Sequence, residues 1–94
     1  MGKQKSVARF LPLLKPVTTK FNEYRELHCL DGPAIEYADG SYAWFQNGVI
    51  HRDGDGPAIF RADGSAVVYV SHGVLHREGG PALITNKKRV WAQN

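Results

Sequence analysis

The sequence predicts an all-β protein: an antiparallel meander of three β-hairpin repeats of about 24 residues, about six strands in all, with a basic N-terminal extension. Three observations carry this reading. One phrase is written three times, as LHCLDGPAIEY from Leu27, IHRDGDGPAIF from Ile50 and LHREGGPALI from Leu75. Its Gly-Pro-Ala prolines, Pro33, Pro57 and Pro81, are spaced 24 and 24 residues apart, and a fixed period of this size marks repeated supersecondary units. Between the phrases, short strand-like runs are separated by Asp-Gly and Asn-Gly pairs, the dipeptides best suited to tight hairpin turns.

The elements follow in order. Residues 1–22 form the basic extension, and residues 23–94 form the repeat domain, with units at 27–49, 50–74 and 75–94. In the first unit AIEY alternates apolar and polar residues, Asp39-Gly40 turns the chain, SYAWF returns it, and Asn47-Gly48 turns it again before VIH. The second unit repeats this with AIFRA, Asp63-Gly64, SAVVYV, His72-Gly73 and VLH. The third has no Asp-Gly; its WAQN at 91–94 aligns with WFQN at 44–47 once one residue is deleted. Glycines 48, 64 and 73 are expected at positive φ, which a residue without Cβ adopts freely. Each proline stands just before a strand, where a missing N–H is tolerated, and the alanine after it suits a close approach of two strands. The repeated phrase thus reads as a corner, with its histidine closing one strand and its charged residues in the connecting loop.

Composition narrows the function classes. The single cysteine, Cys29, forbids an internal disulfide and fits a reducing compartment, so the expected location is cytoplasmic. No apolar run approaches the ~18 residues of a membrane span. Lys3 and Lys5 resemble the start of a signal peptide, but Pro12, Lys15 and Pro16 interrupt the apolar stretch behind them, so the segment is read as retained. Charge is divided. Residues 1–22 hold five basic residues and no acid, residues 23–86 hold four arginines against nine acids, and Lys87, Lys88 and Arg89 follow.

His28, His51 and His76 occur once per unit. On alternate strands of a sheet they would lie ~10 Å apart, too far to share a metal bound at ~2 Å, so they are expected to bond backbone at each corner. No metal and no cofactor is expected. His51-Arg52-Asp53 spells the kinase catalytic tripeptide without the rest of that machinery, and no serine has a partner at a recognisable spacing, so no enzyme is expected. Alternation in SYAWF sends Tyr42 and Trp44 to one sheet face and Ala43 and Phe45 to the other. Two apolar faces need two covers, one of them the N-terminal segment, the other a partner or a second copy.

These residues carry a resemblance. Units with W-F-x-N-G, D-G-P-A and D-G-S over Leu27 to Asn94 resemble the MORN-type repeat, in the H-R-x-G-P-A variant of small phage and bacterial proteins. Trp44, Asn47, Gly48, His51, Arg52, Gly56, Pro57, Asp63, Gly64, Gly73, His76 and Arg77 carry it. The resemblance implies successive β-hairpins lined up in an elongated, twisted sheet.

The expected function is binding. Size, compartment and repeat type point to a non-enzymatic protein-binding module: a phage-encoded inhibitor or adaptor that occupies the surface of a host protein, for example an anti-CRISPR or anti-restriction antagonist. The expected contacts on the sheet are Tyr42, Trp44, Arg52, Tyr69 and Arg77, a mixture enriched in protein interfaces. Those at the ends are Lys3, Lys5, Arg9, Phe10 and Lys15, together with Lys87, Lys88 and Arg89. Two alternatives stay open: a nucleic-acid-binding protein using the basic termini, and a structural or virion-associated subunit. Self-association through an exposed sheet face or edge is a further expectation.

Overall fold

A computed structural model describes residues 7–92. The chain is all-β and antiparallel, with one short 3-10 turn at Val7–Phe10. Its described residues form eleven strands of two residues each: β1 Thr18–Thr19, β2 Ile35–Glu36, β3 Tyr42–Ala43, β4 Phe45–Gln46, β5 Val49–Ile50, β6 Ile59–Phe60, β7 Val67–Val68, β8 Val70–Ser71, β9 Val74–Leu75, β10 Leu83–Ile84 and β11 Arg89–Val90. Seven of them make one sheet in the order β1-β2-β3-β6-β7-β10-β11, while β4-β5 and β8-β9 are separate side hairpins.

Eleven strands replace the expected six for a specific reason. The Trp44 N–H donates to Ala58 O in the main sheet, while the Trp44 carbonyl accepts the His51 N–H of the side hairpin. Tyr69 does the same between Ala82 O and the His76 N–H. At each of these two residues the strand changes partners, so SYAWF and SAVVYV are each split in two. The side hairpins then join one another: Gly48 N–H donates to Leu27 O and Cys29 N–H to Phe45 O, and the next unit repeats this with Gly73 to Ile50 and Arg52 to Val70.

The turns follow their sequences. Asn47 and Gly48 have φ of 48° and 80°, and His72 and Gly73 have 53° and 82°, the pair of positive angles of a two-residue hairpin turn whose twist matches its strands. At Asp39-Gly40 and Asp63-Gly64 only the glycine is positive, at 94° and 83°, and the aspartate Oδ1 accepts the N–H of the following serine. Ser41 is buried, and its Oγ accepts the Ala62 N–H, tying one hairpin end to the next.

The inner face of the main sheet is a row of directly paired residues, Ile35, Ala43, Ile59, Val68 and Leu83, all buried. Phe45, Ile50 and Val70 of the side hairpins join the same core, and so does Val7, with Phe10 and Leu11 packed against it. The N-terminal segment therefore supplies part of the core. Ala34, Ala58 and Ala82 of the three Gly-Pro-Ala corners are fully buried, where any larger side chain would collide.

The repeat pattern also runs further back than the repeated phrase. Lys20 N–H donates to Ala34 O and His28 N–H to Lys20 O, the same two bonds made at Trp44 and Tyr69. Thr18–Lys20 thus stands one period before Tyr42–Trp44. Phe21, one period before Phe45, follows it and bridges Leu27, but Lys20 stands where Trp44 and Tyr69 stand later, and the turn is built around Asn22, whose Oδ1 accepts the N–H groups of Tyr24 and Glu26.

Candidate protein-binding site

Two corners build the candidate site, and each has the same three layers. The Arg52 guanidinium carbon lies 4.1 Å from the centre of the Trp44 ring, and that of Arg77 lies 4.0 Å from the centre of the Tyr69 ring. Each guanidinium also donates through Nη1 to the carbonyl of the corner proline, Arg52 to Pro57 at 3.0 Å and Arg77 to Pro81 at 3.1 Å. Below each guanidinium lies the corner glycine. A Cβ at Gly56 would overlap the Arg52 guanidinium, and one at Gly80 would sit 2.9 Å from that of Arg77. This is why Gly precedes Pro-Ala in H-R-x-G-P-A. In the first unit the arginine is replaced by Cys29, and a Cβ at Gly32 would meet only its Sγ, at 3.9 Å.

The histidines hold the next unit's turn. His28 Nδ1 accepts the Asn47 N–H at 2.9 Å, and His51 Nδ1 accepts the His72 N–H at 2.8 Å. With Nδ1 accepting, the proton of the neutral ring is on Nε2, and His51 Nε2 donates it to Asp53 at 2.8 Å. That hydrogen bond holds the exposed Asp53 carboxyl below its ordinary pKa. The His72 ring lies against His51, with centroids 4.4 Å apart. Bonds from Ser65 lower the pKa of Asp63 in the same way, whereas burial raises that of Tyr37.

Between the two corners lies a cleft of about 520 Å³ lined by Arg52, Tyr69 and Arg77, with Asp53, Asp55, Ser71, His76 and Glu78 around them. Sequence reasoning singled out the first three as binding residues and did not select the acids, although these are the variable letters of HRDGDGPA and HREGGPA. Trp44 is half-buried beneath Arg52. Tyr42 sits apart from the cleft, stacked on Phe60 with ring centroids 5.3 Å apart.

The basic residues do not converge. Lys15 is exposed before β1 at one edge of the sheet, whereas Lys87, Lys88 and Arg89 are exposed at the β10–β11 hairpin on the opposite edge. Arg9 lies over the Phe10 ring at 4.4 Å, and Phe10 is half-buried against the core. Lys3 and Lys5 fall outside the described residues. Among the described residues no group of three or more His, Cys, Asp or Glu is placed to hold a metal ion, and no helix is long and apolar enough to cross a membrane. Comparison with protein-family models, with curated proteins and with solved structures gave no match.

Proposed function

We propose that this chain is a non-enzymatic protein-binding module, an adaptor or inhibitor of the small phage type, whose partner docks over the cleft between the Arg52 and Arg77 corners. The observation that carries this reading is the pair of arginine-on-aromatic stacks at 4.1 and 4.0 Å. Trp, Tyr and Arg dominate the energetics of protein interfaces, and part of an arginine's cost in binding is the freedom it loses. Here that freedom is already spent within the fold. Each guanidinium has five N–H donors and gives one to a proline carbonyl, which leaves donors for the carbonyls of a partner loop. Asp55 and Glu78 at the rim accept from it. The MORN-like reading of the repeat agrees with a scaffold that presents corners at regular intervals. Nucleic acid is the weaker fit, because the basic groups lie on opposite edges of the sheet and the cleft is rimmed with acids.

A photo-crosslinking amino acid placed at Asp55, and separately at Lys15, tests this in lysate of the natural host. The Asp55 position is expected to trap one discrete protein, and Glu78→Arg added to that same chain to abolish the capture while it melts like the parent. Equal capture from Lys15 alone, or capture that nuclease treatment abolishes, would overturn the reading.

A further inference from the structure

The outer face of the seven-stranded sheet carries one unbroken row of directly opposed residues. Cα pairing sets Glu36 beside Tyr42, Tyr42 beside Phe60, Phe60 beside Val67, Val67 beside Ile84 and Ile84 beside Arg89. The four consecutive side chains from Tyr42 to Ile84 are apolar or aromatic and only half-buried, and the acid at one end of that stretch and the base at the other are exposed; beyond Glu36 the row closes on Thr18 of β1. Neither end forms an ion pair among the described residues. They stand five strand spacings apart, ~24 Å at ~4.8 Å per spacing, so they cannot pair with each other inside one chain.

We infer that this face binds a second copy of the chain, face to face, about a two-fold axis parallel to the strands. The charges at the row's ends select this arrangement. An axis parallel to the strands reverses the row, so Glu36 of each copy meets Arg89 of the other, Tyr42 meets Ile84, and Phe60 meets Val67 at the centre. An axis along the row would place Glu36 on Glu36 and Arg89 on Arg89, and like charges across an interface are costly. A single patch that is self-complementary under reversal is what a two-fold interface requires. Sheets pack ~10 Å apart, which half-buried Phe, Tyr, Val and Ile fill without rearrangement. A row of six side chains falls short of the ~20–30 residues a side of a standard stable interface, so the dimer is reversible and concentration-dependent. The cleft residues are not members of this row.

Sedimentation velocity over a wide concentration range tests the inference with four samples. The parent is expected to shift from monomer to dimer as concentration rises. Glu36→Arg alone and Arg89→Glu alone should remain monomeric at concentrations where the parent is dimeric, because each reversal sets like charges together twice. An equimolar mixture of the two variants should recover the dimer, since both end pairs then become attractive, and recovery also shows that both variants are folded. A parent that stays monomeric throughout overturns the inference. So do single variants that dimerise as the parent does, which would mean an edge-to-edge contact, or a mixture that recovers nothing while both variants keep the parental circular dichroism spectrum.

Discussion

The imidazole of His51 is the receptor for the next hairpin: its Nδ1 takes the backbone N–H of His72 at 2.8 Å, and its Nε2 is anchored by Asp53. The side chain is buried, and its repeat counterpart His28 takes Asn47 in the same manner. His28 and His51 therefore tie successive units together. His72 adopts φ of 53°, where a side chain with Cβ is disfavoured, so the capped amide belongs to a residue that gains from being held.

Replacing His51 by Leu keeps most of the volume and removes the acceptor. The His72 N–H is then left without its partner in a part-buried site, and the expected loss is about 1–3 kcal/mol. His28→Leu should cost less, because the Asn47 amide is exposed and water can replace the ring. Urea denaturation of the two variants checks the order as well as the size; equal losses would contradict the role given to burial.

The corner glycines separate two causes that sequence alone merges. Gly56 and Gly80 lie under guanidinium groups, and Gly32 does not. Gly56→Ala should push Arg52 off the Trp44 ring and off the Pro57 carbonyl, a loss of about 1–2 kcal/mol for a stack and a hydrogen bond together. Gly32→Ala should stay within about 0.5 kcal/mol of the parent. In a Trp91→Phe background the Trp44 fluorescence should change for Gly56→Ala and not for Gly32→Ala.

Much of this architecture was legible in the residues. Gly48, Gly64 and Gly73 hold positive φ as their turn dipeptides require, Ala34, Ala58 and Ala82 are buried as the corner reading requires, and Ala43 and Phe45 face the core opposite Tyr42 and Trp44. What was not legible came from hydrogen bonding across units. Nothing in the letters of SYAWF says that Trp44 changes partners at one residue, because both halves of the strand keep the same alternation. Thr18–Lys20 was hidden because Lys20 stands where Trp44 and Tyr69 stand in the later units, and no glycine turn such as Asn47-Gly48 or His72-Gly73 follows it. The cleft was half visible: arginine and tyrosine stood out as interface residues, but only the fold brings Asp55 and Glu78 of different units to one rim.

Acid should weaken the fold through two aspartates. Asp53 is held below its ordinary pKa by the bond from His51, and Asp63 by the bonds from Ser65. A carboxyl whose folded pKa is lowered contributes stability above its unfolded value near 3.8, and that contribution is lost as pH falls through the folded value. The parent should therefore lose stability below about pH 4, with nothing from these two groups changing between pH 5 and pH 8. Asp53→Asn/Asp63→Asn should show a shallower acid limb in melts recorded from pH 6 to pH 2. An acid limb as steep as the parent's would show that other carboxyls govern it.

The last prediction concerns the turn glycines, where backbone angle and crowding can be told apart. Gly64 has φ of 83° and nothing within 4 Å of an added Cβ, so Gly64→Ala meets only the cost of the left-handed angle, about 1 kcal/mol. Gly73 has nearly the same angle, 82°, but its added Cβ would lie 3.3 Å from Val49 Cγ1 of the preceding side hairpin. Val49 is itself partly exposed, so it can yield by a few tenths of an ångström at the expense of its own contacts. Gly73→Ala should therefore lose more than Gly64→Ala, and Gly73→Ala/Val49→Ala should lose no more than the two single changes summed, with a favourable coupling between them. Thermal melts of the three single variants and the double variant measure this coupling. If Gly64→Ala and Gly73→Ala lose the same amount and the cycle shows no coupling, the two side hairpins are not in contact through Val49 and Gly73, and the stacking of units must rest on the histidine-held amides alone.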